Sequence, residues 1–420
     1  MAYWHLHLLA DFAQLAEKCV ARCGLIAGFS ETGDSLTRTF LSNPMRDCHR
    51  AISAWMEELG MRVSLDAIGN LHGLYGSGTQ PRRLLMGSHL DTVPCAGAYD
   101  GVLGVCVALA VVEALRNVSL PFDVEVLGFS EEEGVRFRVP FLGSLATVGC
   151  FDPALLDLQD SSGHTVREAI QQFGLDPARI PDAMMDTRAI AYLEFHIEQG
   201  PVLDTAGESI AAVRAIAGQS RLEVVFVGRA NHAGTTPMEL RRDALSGAAE
   251  WIMQVEEHAQ AVNGLVATVG KMQVSPGGGN IIPGEVRASL DVRHSCDETR
   301  TSAVRDMCRV AAQIAFRRGL ELSFKEQLNQ PAVPMNQHLV DLIEKAILRT
   351  GEVPRRMVSG AGHDAMILAK KAPAAMIFIR SIGGISHHPD ESVHVEDVEK
   401  AIRAGSLVLT DLAVEGVQPA

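Results

Sequence analysis

Histidines and carboxylates in this chain gather in four short runs. Gly87-Ser88-His89-Leu90-Asp91 is followed by Tyr99-Asp100-Gly101, and Ser130-Glu131-Glu132-Glu133-Gly134 comes next. The third run is Glu194-Phe195-His196-Ile197-Glu198-Gln199-Gly200, and the last is Ser386-His387-His388-Pro389-Asp390-Glu391. Each run alone is weak, because a histidine ending a strand is ordinarily a hydrogen-bonded structural residue and three glutamates can form a solvated turn. Yet adjacent glutamates closing an apolar strand repel one another unless a cation or solvent relieves them. Imidazole and carboxylate ligands together suit Zn²⁺, Mn²⁺ or Co²⁺, and one carboxylate can bridge two ions about 3.5–4 Å apart. Asp91, two residues beyond His89, is spaced to orient the imidazole from behind. No nucleophile motif competes: Gly-x-Ser-x-Gly is absent, and no cysteine lies in an electropositive cluster.

The elements around these runs read as α/β. Arg83–Asp91 and Asp123–Ser130 are apolar runs of strand length, with an apolar helix over 101–116 between them. That order predicts a mostly parallel sheet with flanking helices. Ala191–Gln199 reads as a further strand, so the histidines and acids fall at strand carboxyl ends, where open α/β sheets place ligands. From about residue 212 the grammar changes. A strand at 221–229 precedes a helix starting at Thr236-Pro237 and running to about 259. Strands near 265–275 and 284–294, a helix near 298–318 and a strand near 320–326 complete a β-α-β-β-α-β, ferredoxin-like unit. After Pro334 the α/β pattern returns. The domains are therefore 1–211 with 330–420, interrupted by 212–329.

Composition bounds the function. The chain has 420 residues, 47% of them hydrophobic and 21% charged, which excludes general disorder. A formal charge of −14 disfavours a nucleic-acid partner. The most apolar run, Val102–Val112, is too short to span a bilayer and meets Glu113. The opening MAYWHLHLLADF has no basic leader, so the expectation is a cytoplasmic protein without a membrane partner. The eight cysteines include no Cys-x-x-Cys pair and suggest reduced thiols.

Taken together, the motifs resemble a known family. They comprise His-Leu-Asp with an aspartate eleven residues after the histidine, EEEG, HIEQGPVLD, NHAGTTPM, GGGNIIPG, DVR, GAGHDA and GISHHPDE. The chain is similar to the dinuclear zinc metallopeptidase and aminoacylase superfamily. Within it, the chain resembles the branch of N-carbamoyl-L-amino-acid hydrolases, allantoate amidohydrolases and β-ureidopropionases. His196, where the peptidases usually carry a carboxylate, points to that branch.

The resemblance implies two divalent ions per subunit, zinc first, with manganese, cobalt or nickel as alternatives. His89, Asp100 and His196 would hold one ion, and Asp100, Glu133 and His387 the other. The motif selects His387 over His388, and His363 supports its loop rather than binding metal. Glu132 would be the general acid/base. Asn280 and Arg293 would clamp the substrate carboxylate, although from the residues alone Asn280 is a turn residue and Arg293 a partner for Asp291 or Glu298. Gln199 would bond the ureido group, Gly360 and Gly362 would offer backbone contacts, and His232 would reach across a homodimer formed by the inserted lid domain. The implied activity is hydrolysis of an N-carbamoyl-L-amino acid to amino acid, CO₂ and ammonia. Allantoate hydrolysis is the alternative, and N-acyl amino-acid or dipeptide hydrolysis a further one. Two departures from the family pattern, PCAGAYDG before Asp100 and His-His-Pro after Ser386, bear on the identity of the small ureido acid.

Overall fold

The computed structural model describes residues 10–415. Before the inserted unit come β1 (Arg62–Leu65), β2 (Leu71–Tyr75), β3 (Arg83–His89), β4 (Asp123–Phe129), β5 (Ala189–Ile197) and β6 (Ile210–Ile216). Next are β7 (Gly218–Val227), β8 (Asn231–His232), β9 (Val266–Thr268), β10 (Met272–Ser275) and β11 (Ile281–Ile282). They are followed by β12 (Glu285–His294), β13 (Glu321–Gln330) and β14 (Val333–Pro334), and the chain ends with β15 (Arg356–Ser359) and β16 (Ala374–Ile379).

The chain divides into two compact units. One takes in the described residues up to Arg214, Met335–Met357 and those from Gly362 onward; the other holds Ala215–Pro334 with Val358–Ala361. The second boundary falls beyond residue 329 because β14 pairs with Ala215 and Ile216.

In the first unit the strand order is β1-β2-β4-β3-β5-β16-β6. The α/β class expected from the sequence is found, in a narrower form. β4, β3, β5 and β16 are mutually parallel, while β1, β2 and β6 join antiparallel at the flanks. The parallel strands are buried almost throughout, which is why they read as continuous apolar runs. β1 escaped the sequence reading because it is only four residues long and largely exposed, so its Val63/Leu65 alternation is too brief to mark a buried face.

The helix Val102–Ala114 is apolar on every side, and Val102–Val112 are all buried. It packs on β3, β4 and β5 beneath the helices Phe12–Ala27 and Val395–Glu415. Gly104 permits this approach: a Cβ there would stand 2.1 Å from the carbonyl oxygen of Phe195.

The second unit lays two helices, Ala244–Ala261 and Asp297–Arg318, against the strand order β10-β12-β7-β13, with β9 also on β12. Its core joins Val224, Phe226, Trp251, Val286, Leu290 and Met307. The first helix begins later than expected. Asp243 accepts hydrogen bonds from the amides of Leu245 and Ser246, at 3.0 and 3.1 Å, and is the N-cap. Pro237 instead sits extended at ψ 149°, and the Thr236 hydroxyl donates to the carbonyl of His232. Among the described residues no helix is long and apolar enough to cross a membrane.

Gly104→Ala should destabilise the first unit by about 1–3 kcal/mol, because the close-packed site has no room for a methyl. A melting temperature equal to the wild type's would show that the helix can lift from β5 without cost.

Candidate metal centre and active site

Parallel pairing brings the chemistry-bearing residues to one end of the sheet. His89 stands opposite Phe129 in the β3–β4 ladder, so the turn Ser130–Gly134 opens beside it. His196 is next to last on β5. Asp100 immediately precedes Gly101, the N-cap of helix Val102–Ala114, which takes φ 69°. A side chain at Gly101 would meet the His89 ring at 2.5 Å, so this position needs glycine on both counts.

The carboxylate of Asp100 is the meeting point. Its Oδ1 lies 3.7 Å from Nε2 of His89 and 3.3 Å from Nε2 of His196, and its Oδ2 lies 3.1 Å from Nε2 of His387. The same His387 nitrogen is 3.7 Å from Glu133 Oε1. The donor atoms of His89, Asp100 and His196 fall within 4.8 Å of one another, as do those of Asp100, Glu133 and His387 and those of His89, Glu132 and Glu133. His388 turns away, its Nδ1 accepting from the Asp390 amide at 3.2 Å.

The ring orientations fit a cation. Nδ1 of His89 faces the Asp91 carbonyl at 3.0 Å, and Nδ1 of His196 faces the Ile197 carbonyl at 2.9 Å. A carbonyl accepts only, so each Nδ1 carries a proton and donates, which turns Nε2 toward Asp100. The two Nε2 atoms are 3.4 Å apart. Two imidazole nitrogens and a carboxylate oxygen thus converge in a buried space, an arrangement that suits a divalent ion.

Electrostatics point the same way. Burial pushes the Asp100 carboxyl up, but hydrogen bonds with His387 and His89 and the nearness of His196 outweigh it and hold the group well below the usual carboxylate range. Burial lowers His196 to about 4. Burial, with the charges of Asp100 and Asp91, pushes Glu133 up to about 7. Burial also raises Glu132 well above its ordinary value, reinforced by Glu133, Asp364 and Asp91. Crowded carboxylates of this kind are relieved by positive charge.

Gln199 joins this group. It sits at φ 58°, and its Nε2 donates to both Asp100 oxygens at 3.2 Å. Three further residues were not singled out from the sequence for what they do here. Asp91 orients the glutamate turn, its two carboxylate oxygens accepting from the amides of Glu132 and Glu133 at 3.0 Å each; its backbone carbonyl, not its carboxylate, receives the His89 ring. Glu194 accepts from the Ala365 amide and the Ser88 hydroxyl below the cluster. Glu391 accepts from the amides of Tyr99 and Asp100. His363 is buried, with its ring edge-on to His196 at 4.4 Å between centroids.

The remaining predicted residues lie mostly in the second unit. His232 and Asn280 are brought side by side: Ile281 pairs with His232, and the Ala233 amide donates to the Asn280 carbonyl at 2.8 Å. Both are exposed. Arg293 is engaged, its Nε and Nη2 donating to Asp291 at 2.8 and 3.1 Å and its Nη1 to the Gly360 carbonyl at 2.6 Å. The pairing with Asp291 is the one that strand alternation offers. Gly360 and Gly362 are exposed in the loop after β15.

A parallel-cored α/β sheet carrying a buried imidazole–carboxylate cluster at its strand ends defines a metal-dependent hydrolase. Residues 85–411 match peptidase family M20/M25/M40, and the chain belongs to that family. An N-carbamoyl-L-amino acid amidohydrolase of Geobacillus stearothermophilus is 38% identical, over 86% of this chain and 90% of its own. An allantoate deiminase of Arabidopsis thaliana is 36% identical, over 93% and 81%. The solved amidase of the hydantoinase/carbamoylase family from Burkholderia multivorans superposes with a TM-score of 0.90 at 31% identity, covering 96% of this chain and 98% of that one. The protein is thus an amidohydrolase, acting on non-peptide C–N bonds, and the cluster is its candidate divalent-metal site.

The raised acids set a pH dependence for the metal-free protein. Glu133 and Asp364 are pushed to about 7, and Glu131 and Glu194 to about 8, in each case by burial first. A carboxyl whose folded value is raised binds its proton more tightly when folded, so stability falls as pH climbs from the unfolded value to the folded one. His196 and His49, lowered to about 4, act in the opposite sense only below about 6.5. Between pH 6.5 and 8 the metal-free protein should therefore lose thermal stability, and added Zn²⁺ or Mn²⁺ should raise the melting temperature more at pH 8 than at 6.5. A metal-free melting temperature that rises across this window would contradict the account.

Proposed function

We propose that this enzyme hydrolyses the ureido C–N bond of an N-carbamoyl-L-amino acid, releasing the amino acid together with CO₂ and ammonia. The observation that carries the reading is the convergence of His89, Asp100, His196, Glu133 and His387 around one carboxylate with Glu132 alongside. An imidazole at His196, the substitution that marks the carbamoylase branch, and a carbamoylase relative at 38% identity support the substrate class. Allantoate is the second reading, favoured by the 36% identity to a deiminase named for it.

Two divalent ions, zinc or else manganese, cobalt or nickel, held by His89–Asp100–His196 and Asp100–Glu133–His387, would supply Lewis acidity and make water in the site acidic. Glu132 takes the proton of the attacking water on a carboxylate oxygen, and later delivers it to the nitrogen of the leaving amine. Its raised affinity for a proton suits the second half of that task. Gln199 orients the ureido group. Arg293 exchanges Asp291 and the Gly360 carbonyl for the substrate carboxylate, gripping it bidentately with help from Asn280 and from the backbone of Gly360 and Gly362. His232 donates to the developing oxyanion, and does so from the partner of a homodimer. The inserted unit, whose strands and helices follow the order of a ferredoxin-like domain, serves as lid and dimerisation domain.

An ammonia-release assay over N-carbamoyl amino acids, β-ureidopropionate, allantoate, an N-acetyl amino acid and a dipeptide tests the substrate class. The highest kcat/KM should fall on an N-carbamoyl-L-amino acid; a preference for the N-acetyl acid or the dipeptide would overturn the proposal. Glu132→Gln should lower turnover by about 10²–10⁴ with metal content unchanged. Loss of metal in that variant would exchange the roles of Glu132 and Glu133.

Mixing Glu132→Ala and His232→Ala chains tests the shared site. Random re-pairing of equal amounts makes half the dimers mixed, and one site in each mixed dimer is sound if His232 acts across subunits. Activity should then recover to roughly a quarter of wild type. No recovery despite demonstrated subunit exchange would make His232 a residue of its own subunit's site.

A further inference from the structure

Asp100 and His387 come from segments almost three hundred residues apart, yet their side chains meet at 3.1 Å. Neither lies within a helix or strand: Asp100 just precedes a helix N-cap, and His387 is on the loop between β16 and the C-terminal helix. His387 is also held at φ 55°, a left-handed conformation that a residue with a Cβ adopts only where its surroundings impose it. Something outside the ligand set must hold the two loops in register.

Glu391 is placed to do so. It is 4% exposed. Its Oε1 accepts from the Tyr99 amide at 2.9 Å and from the Asp100 amide at 3.0 Å. Its Oε2 accepts from the hydroxyl of Ser386, the residue before His387, at 3.2 Å. Its own amide donates to the His388 carbonyl at 3.0 Å, closing a turn that begins directly after His387. One carboxylate thus binds the backbone of the ligand Asp100 and the neighbour of the ligand His387. The opposite wall is cut to receive it: a Cβ at Gly97 would stand 2.3 Å from Glu391 Cβ and 2.6 Å from its Cδ and Oε1. Gly97 has no positive φ, so it is space for Glu391, not backbone freedom, that requires glycine there.

We propose that Glu391, seated against Gly97, is a positioning residue that sets the spacing between Asp100 and His387 and thereby the affinity of the cation these two share with Glu133. The inference rests on the metal-site reading above. Residues that orient metal ligands from behind commonly change metal affinity by 10–100-fold when removed.

The experiment is Zn²⁺ binding to the metal-free protein, measured by competition with a chromogenic chelator, with melting curves to establish folding. Glu391→Ala should bind one of its Zn²⁺ ions some 10–100-fold less tightly than the wild type does, while Glu391→Gln, which keeps an acceptor for the two amides, should recover most of that loss. Gly97→Ala should weaken the same ion by displacing an intact Glu391. Gly97→Ala combined with Glu391→Gly should be no worse than Glu391→Gly alone, since the Cβ it would strike at 2.3 Å is then gone. Wild-type affinity in folded Glu391→Ala would overturn the proposal. Should that variant not fold, wild-type affinity in Gly97→Ala would overturn it instead, as would additive losses in the double variant. If the wild-type protein itself bound no Zn²⁺, it is the metal-site reading that would fail.

Discussion

The buried carboxylate of Asp100 faces three imidazole nitrogens at 3.1–3.7 Å, and much of the first unit serves to make that crowding tolerable. Asp100, Glu132 and Glu133 crowd three carboxyl groups at the strand ends, and burial with mutual repulsion raises the two glutamates. The fold meets this by fixing every neighbour from behind. Backbone carbonyls set the tautomers of His89 and His196, Asp91 holds the glutamate turn by its amides, and Glu391 holds the Asp100 loop. Glu131, Gln199 and His387, all with positive φ, show backbone strain concentrated at the same place.

This arrangement explains why the first unit is built as it is. Four parallel strands deliver their carboxyl ends to one edge, so side chains widely separated in sequence arrive together. The helix Val102–Ala114 can be apolar all round because the sheet lies on one side and two helices on the other. Its N-terminus presents Asp100, and the absence of side chains at Gly101 and Gly104 allows His89 and β5 to close upon it. Packing and chemistry therefore share the same residues. The second unit has its own core around Trp251 and holds the charged and exposed groups assigned to substrate.

Much of this was legible in the sequence, for a physical reason. Ligand side chains must be histidine or carboxylate, and parallel strands are apolar runs ending where those residues begin; both properties survive in one dimension. What sequence does not display is which backbone group a side chain will find. Asp91 looked like a partner for the His89 ring, but its carboxylate goes to two amides forty residues away. Glu391 sits in the most recognisable motif, yet its partners, Tyr99 and Asp100, are visible only once the loops meet. The helix start was misplaced because Thr236-Pro237 has the composition of an N-terminus, while Asp243, seven residues on, makes the capping bonds. Arg293 remained ambiguous because alternation places Asp291 on its own face, and the two do pair.

The proposed function requires two divalent ions, which would be held by His89–Asp100–His196 and Asp100–Glu133–His387. Anomalous diffraction from crystals grown with Zn²⁺, recorded on both sides of the zinc absorption edge, tests this requirement most directly. Two peaks flanking Asp100 are expected, one among His89 and His196 and the other among Glu133 and His387. A single peak bound to only one side of Asp100, or a pair of peaks away from it, would contradict it.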